Sequence, residues 1–186
     1  MDLENLISNK ICKFLLRDNT EQNEEIIFYG VQLIVETIFK YCLLLLIAIL
    51  FNQGLACVIY IILLSGLRAN AGGAHAKTNW GCTLTLFLSF GAGALLNQLE
   101  IPVWVSLMVG IVALGVFIMY APASTQNNPI TDKNVIKRKK ISSIILLLFY
   151  GFITVKSNFD GYVICVVISV VISMILERIS MRRIHE

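Results

Sequence analysis

The chain has 186 residues, 57% of them hydrophobic and 15% charged, with a mean hydropathy of +0.78. Soluble domains run near 45–50% apolar and about 25% charged, and a 20.8 kDa globule has too much surface for its volume to bury so much apolar material. The composition excludes a soluble enzyme, a disordered chain and a nucleic-acid-binding domain, and points to one compact integral membrane protein.

Bulk charge says little: the net value is +3. The five cysteines (Cys12, Cys42, Cys57, Cys82, Cys165) are odd in number and irregular in spacing, so they read as thiols rather than a disulfide framework. Residues 1–25 are polar and mixed in charge, without the apolar core of a cleavable signal peptide.

In chain order, Leu3, Leu6, Ile7, Ile11, Phe14 and Leu15 recur at steps of three and four, with Asn5, Lys10, Lys13 and Arg17 between them. That is one apolar face of a helix, suited to the membrane interface or to the protein's own cytoplasmic loops. A spanning helix needs about 20 apolar residues. Six candidates follow: 31–51, 55–67, 83–99, 103–120 (entered through Pro102), 141–155 and 162–176. The second and fifth are short, and are tilted, extended by polar flanks or re-entrant. Glu36 and Lys40 stand four apart in the first span, so they can pair on one face. In the third, Gly91 and Gly93 permit close helix contact.

Orientation follows from the connections. All but Lys40 and Lys156 of the 15 basic residues fall in the N-terminal segment, the second and fourth connections, and the C-terminal tail. Six spans put these four segments on one side, expected to be cytoplasmic. The expected fold class is therefore all-α integral membrane: six transmembrane helices, an N-terminal amphipathic helix and an irregular glycine-rich cytoplasmic loop. The expected divisions are 1–30 (amphipathic segment), 31–176 (six-helix membrane domain) and 177–186 (basic tail).

The loop from Ser65 to Cys82 differs from the rest. It holds Arg68, the Gly72-Gly73 pair, His75 and, where the next span starts, Cys82. Polar groups at membrane depth are costly and usually functional. A thiolate is the attacking form of cysteine, and an imidazole can take its proton. On one unbroken helix His75 and Cys82 would stand about 10.5 Å apart along the axis, so pairing demands a break. Gly72, Gly73 and Gly81 favour one. Glycines also let backbone N–H groups approach a substrate carbonyl. Against this, a membrane cysteine is commonly a small apolar filler, and Cys12, Cys42, Cys57 and Cys165 read that way. A lone histidine can simply cap a helix. One His and one Cys are too few for a metal site, and His185 is at the far end, so no metal or other cofactor is expected.

Arg68-x-x-x-Gly72-Gly73-x-His75-(x)6-Cys82 resembles the signature of the accessory gene regulator B family, membrane endopeptidases of Gram-positive quorum sensing. Tyr120-Ala-Pro-Ala-Ser-Thr-Gln-Asn-Asn-Pro-Ile130 resembles the family's second segment, and length, six spans and the basic loop also fit. Ser124 stands where an acidic residue is common in the family, so no third catalytic residue is assigned. The resemblance implies a multi-pass protein of the bacterial cell membrane. It would cut a short amphipathic propeptide on the C-terminal side of its signal segment, yielding a peptide cyclised as a thiolactone or lactone. Carried over by position, Cys82 is the nucleophile and His75 the base, with Arg68, Gly72 and Gly73 in support. Precursor tails in the family tend to be acidic. Lys137, Arg138, Lys139 and Lys140 would then steer the tail; the alternative is that they set topology and touch anionic lipid headgroups. A homodimer is expected, and no nucleic acid. The rival functional class is a small membrane exporter or transporter without peptidase activity, although no inverted repeat relates the two halves.

Overall fold

A run as apolar as residues 103–120 cannot stay hydrated, and in lipid a helix satisfies its backbone without outside partners. The computed structural model describes residues 8–12, 24–73, 79–99, 101–123, 132–156 and 159–184. These are overwhelmingly helical. A short turn of helix at 8–12 is followed by α1 (Glu24–Leu50), α2 (Gly54–Ala71), α3 (Asn79–Asn97), α4 (Val103–Tyr120), α5 (Lys133–Lys156) and α6 (Asp160–Ile184). In the turn at 8–12, Ser8 and Cys12 are buried and Ile11 is exposed; the rest of the expected amphipathic face lies outside the described residues.

Two compact units divide the chain, Met1–Gly54 and Leu55–Glu186. The first holds α1. Its Glu36 and Lys40 pair at 3.7 Å as their spacing predicts, and Gln32 Nε2 donates to Glu36 Oε1 at 3.2 Å. The helix ends where Asn52 takes φ 56, with Asn52 N–H donating to Ile49 O and Gln53 N–H to Ala48 O. Asparagine tolerates that left-handed conformation, and the two bonds satisfy carbonyls the helix leaves open.

The second unit is built around α6. From Tyr162 to Val167 every residue is buried, as befits a helix that is apolar all round. Helices α3, α4 and α5 pack on it. Tyr60 of α2, Phe90 of α3 and Tyr162 of α6 stack in series, with ring centroids 5.3 and 5.4 Å apart. Gly93 lies against Tyr162 and Cys165, while Gly161 lies against Asn97 and receives its side chain, Gly161 N–H donating to Asn97 Oδ1. So α3 and α6 run antiparallel in close contact, as small residues allow. Gly93 makes that contact; Gly91 faces open space.

Five of the six helices, all but α5, are long and apolar enough to cross a bilayer. Their outward faces suit lipid, with Leu50 82% and Met119 73% exposed. The protein is therefore an all-α membrane protein. The expected short second span is longer by one polar turn, through Arg68 and Asn70. The expected fifth, 141–155, forms the inner part of α5, whose first two turns carry Lys133, Lys137, Arg138, Lys139 and Lys140. That leaves about 22 Å of apolar helix against a hydrocarbon core of about 30 Å. Asp132 caps α5, its Oδ1 accepting from Asn134 N–H at 2.8 Å. Tyr150 of α5 donates its hydroxyl to the carbonyl of Leu63 in α2 at 2.7 Å.

Candidate active site

The last turn of α2 carries Arg68, half-buried. A cation there suits the negative end of the helix. The helix stops at Ala71 because the next two residues leave helical space: Gly72 has φ 72 and Gly73 φ 133. Both values belong to the region that favours glycine. Gly72 N–H still donates to Arg68 O at 3.0 Å, closing the final turn.

Neither glycine leaves room for a side chain. A Cβ on Gly72 would run into the carbonyl of Ala123, and one on Gly73 into the hydroxyl of Ser173. Ala123 follows α4, and its N–H donates to Ala71 O at 2.8 Å, making Gly72 and Ala123 an isolated parallel bridge. The described parts of the two sequence segments singled out above, Gly72 after α2 and Ala123 after α4, are thus held side by side.

Cys82 lies in the first turn of α3, half-buried. Unpaired backbone N–H groups at such a terminus favour negative charge. Trp80, one half-turn earlier, is 84% exposed, and Trp104 at the start of α4 is 67% exposed. Tryptophan is enriched at membrane boundaries, and Cys82 lies in the first turn of an apolar segment, Trp80–Asn97, long enough to span. Its height follows from the α3–α6 register. From Gly93 back to Cys82 is about 16 Å of helix, and from Tyr162 on to Ser173 is the same. Cys82 therefore falls level with Ser173, against which Gly73 rests.

His75 lies outside the described residues, as does Ser124. The break demanded between His75 and Cys82 falls partly at 74–78, outside them too; the described part is the departure from helix at Gly72 and Gly73. The basic cluster divides. Lys137 and Arg138 are exposed and, with Asn134, Ile141 and Ser142, line an open cleft of about 300 Å³, while Lys139 and Lys140 are half-buried. Four consecutive helical residues cannot share one face, since each step turns about 100°. Cys12, Cys57 and Cys165 are buried and Cys42 is exposed, all as free thiols. Among the described residues no three His, Cys, Asp or Glu side chains come together as a metal site. Ala123 belongs to the second segment singled out from the sequence, whereas sequence reasoning missed Ser173, which touches Gly73 from α6.

Comparison with known proteins supplies the family. A family model described as accessory gene regulator B matches residues 5–177. An AgrB-like protein of Clostridium perfringens is 31% identical over 185 residues, covering 94% of this chain and 86% of its own. Accessory gene regulator protein B of Staphylococcus aureus is 28% identical over 167 residues, covering 86% and 88%. No solved structure matches the chain. The signature residues, the helical membrane architecture and a match over nearly the whole length agree: the chain belongs to the accessory gene regulator B family.

Proposed function

We propose that this protein is a membrane-embedded cysteine endopeptidase of a quorum-sensing system. Its substrate is a short, membrane-associated amphipathic propeptide, cut on the C-terminal side of the signal segment. Cys82 is the nucleophile and His75 takes its proton. The sulfur attacks the scissile carbonyl, the C–N bond breaks, and the leaving amine receives the proton from His75. The peptide is left as a thioester on Cys82. A cysteine within the peptide then attacks that thioester, closing a thiolactone and returning the enzyme thiol. Exchange of one thioester for another is nearly balanced in energy, which a serine ester would not offer. Water competes for the same acyl group, so a site just inside the membrane boundary suits the task.

The observation that carries this reading is the locked pair of segments, Gly72 against Ala123, at the height of Cys82. The first turn of α3, where Cys82 lies half-buried, leaves backbone N–H groups without partners inside the helix, and these suit a tetrahedral oxyanion. Family membership supports the same assignment. The exposed Lys137 and Arg138 are proposed contacts for an acidic propeptide tail.

The test is reconstitution of purified protein with a synthetic propeptide that has an internal cysteine and an acidic tail. Cys82→Ala and His75→Ala are expected to abolish cleavage while remaining membrane-inserted. A mass increase on the Cys82 peptide equal to the N-terminal fragment less water identifies the acyl-enzyme. Normal cleavage by Cys82→Ala would sink the assignment.

A further inference from the structure

We propose that Ser173 of α6 is a positioning residue that fixes where the Gly72-Gly73 turn leaves α2, and through that turn how His75 meets Cys82. The proposal rests on the reading of His75 and Cys82 as the catalytic pair.

Gly73 is buried directly on α6. A Cβ there would overlap Ser173 Oγ and stand 3.1 Å from Ser173 Cβ and 3.3 Å from its carbonyl carbon. The Ser173 hydroxyl donates to Val170 O at 2.8 Å. Its proton is thus held by its own helix, and the side chain meets Gly73 as a surface of fixed shape. On the other side, Ala123 lies against Gly72. The turn is clamped between these two surfaces, and His75 follows two residues later in the chain.

The same helix also supports α3, which carries the nucleophile. Gly161, Cys165, Ser169 and Ser173 recur every four residues among valines, isoleucines and one tyrosine, giving α6 one face of small side chains. Gly161 and Cys165 receive α3 at Asn97 and Gly93, and Ser173 receives the turn after α2 at Gly73. One helix is therefore the common support for the Gly72-Gly73 turn and for the helix bearing Cys82. A larger side chain at Ser173 bears directly on the turn at Gly73, while the glycine contacts that seat α3 on α6, at Gly93 and Gly161, lie about 12 Å or more along the helix.

The experiment reads Cys82 reactivity without any propeptide. Purified protein is treated with iodoacetamide at pH 7, and alkylation of the Cys82 peptide is timed by mass spectrometry. The variants are Ser173→Ala, Ser173→Thr and Ser173→Leu, each with and without His75→Ala. His75→Ala slows alkylation. Ser173→Leu slows it by a comparable factor, and the two changes together slow it no further, because both remove the same contact. Ser173→Ala stays close to the parent and Ser173→Thr falls between, which keeps the test intact should the leucine variant fail to fold. In propeptide cleavage, Ser173→Leu lowers kcat by about 100-fold with KM little changed, the scale expected of a misplacement of about 1 Å. Additive effects of His75→Ala with Ser173→Leu, or with Ser173→Thr where leucine does not fold, overturn the positioning role alone. If His75→Ala leaves Cys82 alkylation unchanged, the catalytic pair fails and the inference falls with it.

Discussion

Ala123 N–H donates to the carbonyl of Ala71 at 2.8 Å, joining the chain after α4 to the end of α2 although two membrane helices intervene in sequence. The bond leaves Gly72 facing Ala123 with no space for a Cβ, at φ 72. Gly72→Ala therefore meets both a steric block and an unfavourable backbone conformation. The expected cost is about 1–3 kcal/mol of stability, read by thermal denaturation in detergent. Because the bridge lies at the height of Cys82, propeptide cleavage is expected to fall by more than the loss of folded protein accounts for. A variant with full activity per folded molecule would separate the bridge from catalysis.

Tyr150 gives an independent measure of how α2 is held. Its hydroxyl donates to Leu63 O at 2.7 Å and lies 3.0 Å from the Cβ position of Gly66. Tyr150→Phe keeps the ring and removes the bond. The expected loss is about 0.5–1.5 kcal/mol, seen as a lower melting temperature. Gly66→Ala crowds the same hydroxyl and is expected to lower it as well. Little change in kcat is expected for Tyr150→Phe, since the bond acts more than two turns from Gly73. A drop in kcat with an unchanged melting temperature would contradict that division.

What could be read from sequence tracks how local the cause is. Residues 103–120 were legible to the residue because Pro102 starts the helix and apolar side chains fill it. Glu36 and Lys40 were legible because helical spacing alone makes them neighbours. The outer turns of α5 were not, since Lys133, Lys137, Arg138, Lys139 and Lys140 read as a loop by polarity although lysine and arginine are good helix formers. At the site, Gly72, Gly73 and Cys82 announced themselves as types rarely gathered in a membrane loop. Ser173 did not, because its partner is distant in the chain and a serine among valines carries no local signal. The small-residue period on α6 was the available clue.

The ion pair in α1 makes a sign test. Lys40 and Glu36 are 14% and 20% exposed at their side chains, and Gln32 holds the other side of the carboxylate. Removing one partner strands a charge in apolar surroundings, whereas removing both leaves none to solvate. Lys40→Leu is expected to destabilise the protein by about 1–3 kcal/mol. The double change Glu36→Leu with Lys40→Leu is expected to cost less than Lys40→Leu alone, or to stabilise. Unfolding of the purified variants in a denaturing detergent series checks this. A double variant worse than either single one would mean the pair serves something beyond neutralising itself.

The last prediction concerns α5 and therefore which face the site occupies. Its apolar part is short, so a bilayer crossing rests on the cations at its start and on its packing against α4 and α6. If α5 crosses, the segment between α5 and α6 lies outside, and the loops carrying His75 and residues 124–130 share the cytoplasm with the C-terminus. Reporters that distinguish cytoplasm from exterior, fused after Ser157 and after Glu186, are expected to give opposite signals. Exchanging Lys137, Arg138, Lys139 and Lys140 for glutamine is expected to produce a mixed orientation of α5, because these side chains supply the bias that holds its first turns on the cytoplasmic side. A cytoplasmic signal after Ser157 in the unaltered protein would mean that α5 returns to the side it entered from. The C-terminus would then lie outside, and the tail's Arg178, Arg182 and Arg183 would oppose the charge rule that the rest of the chain obeys.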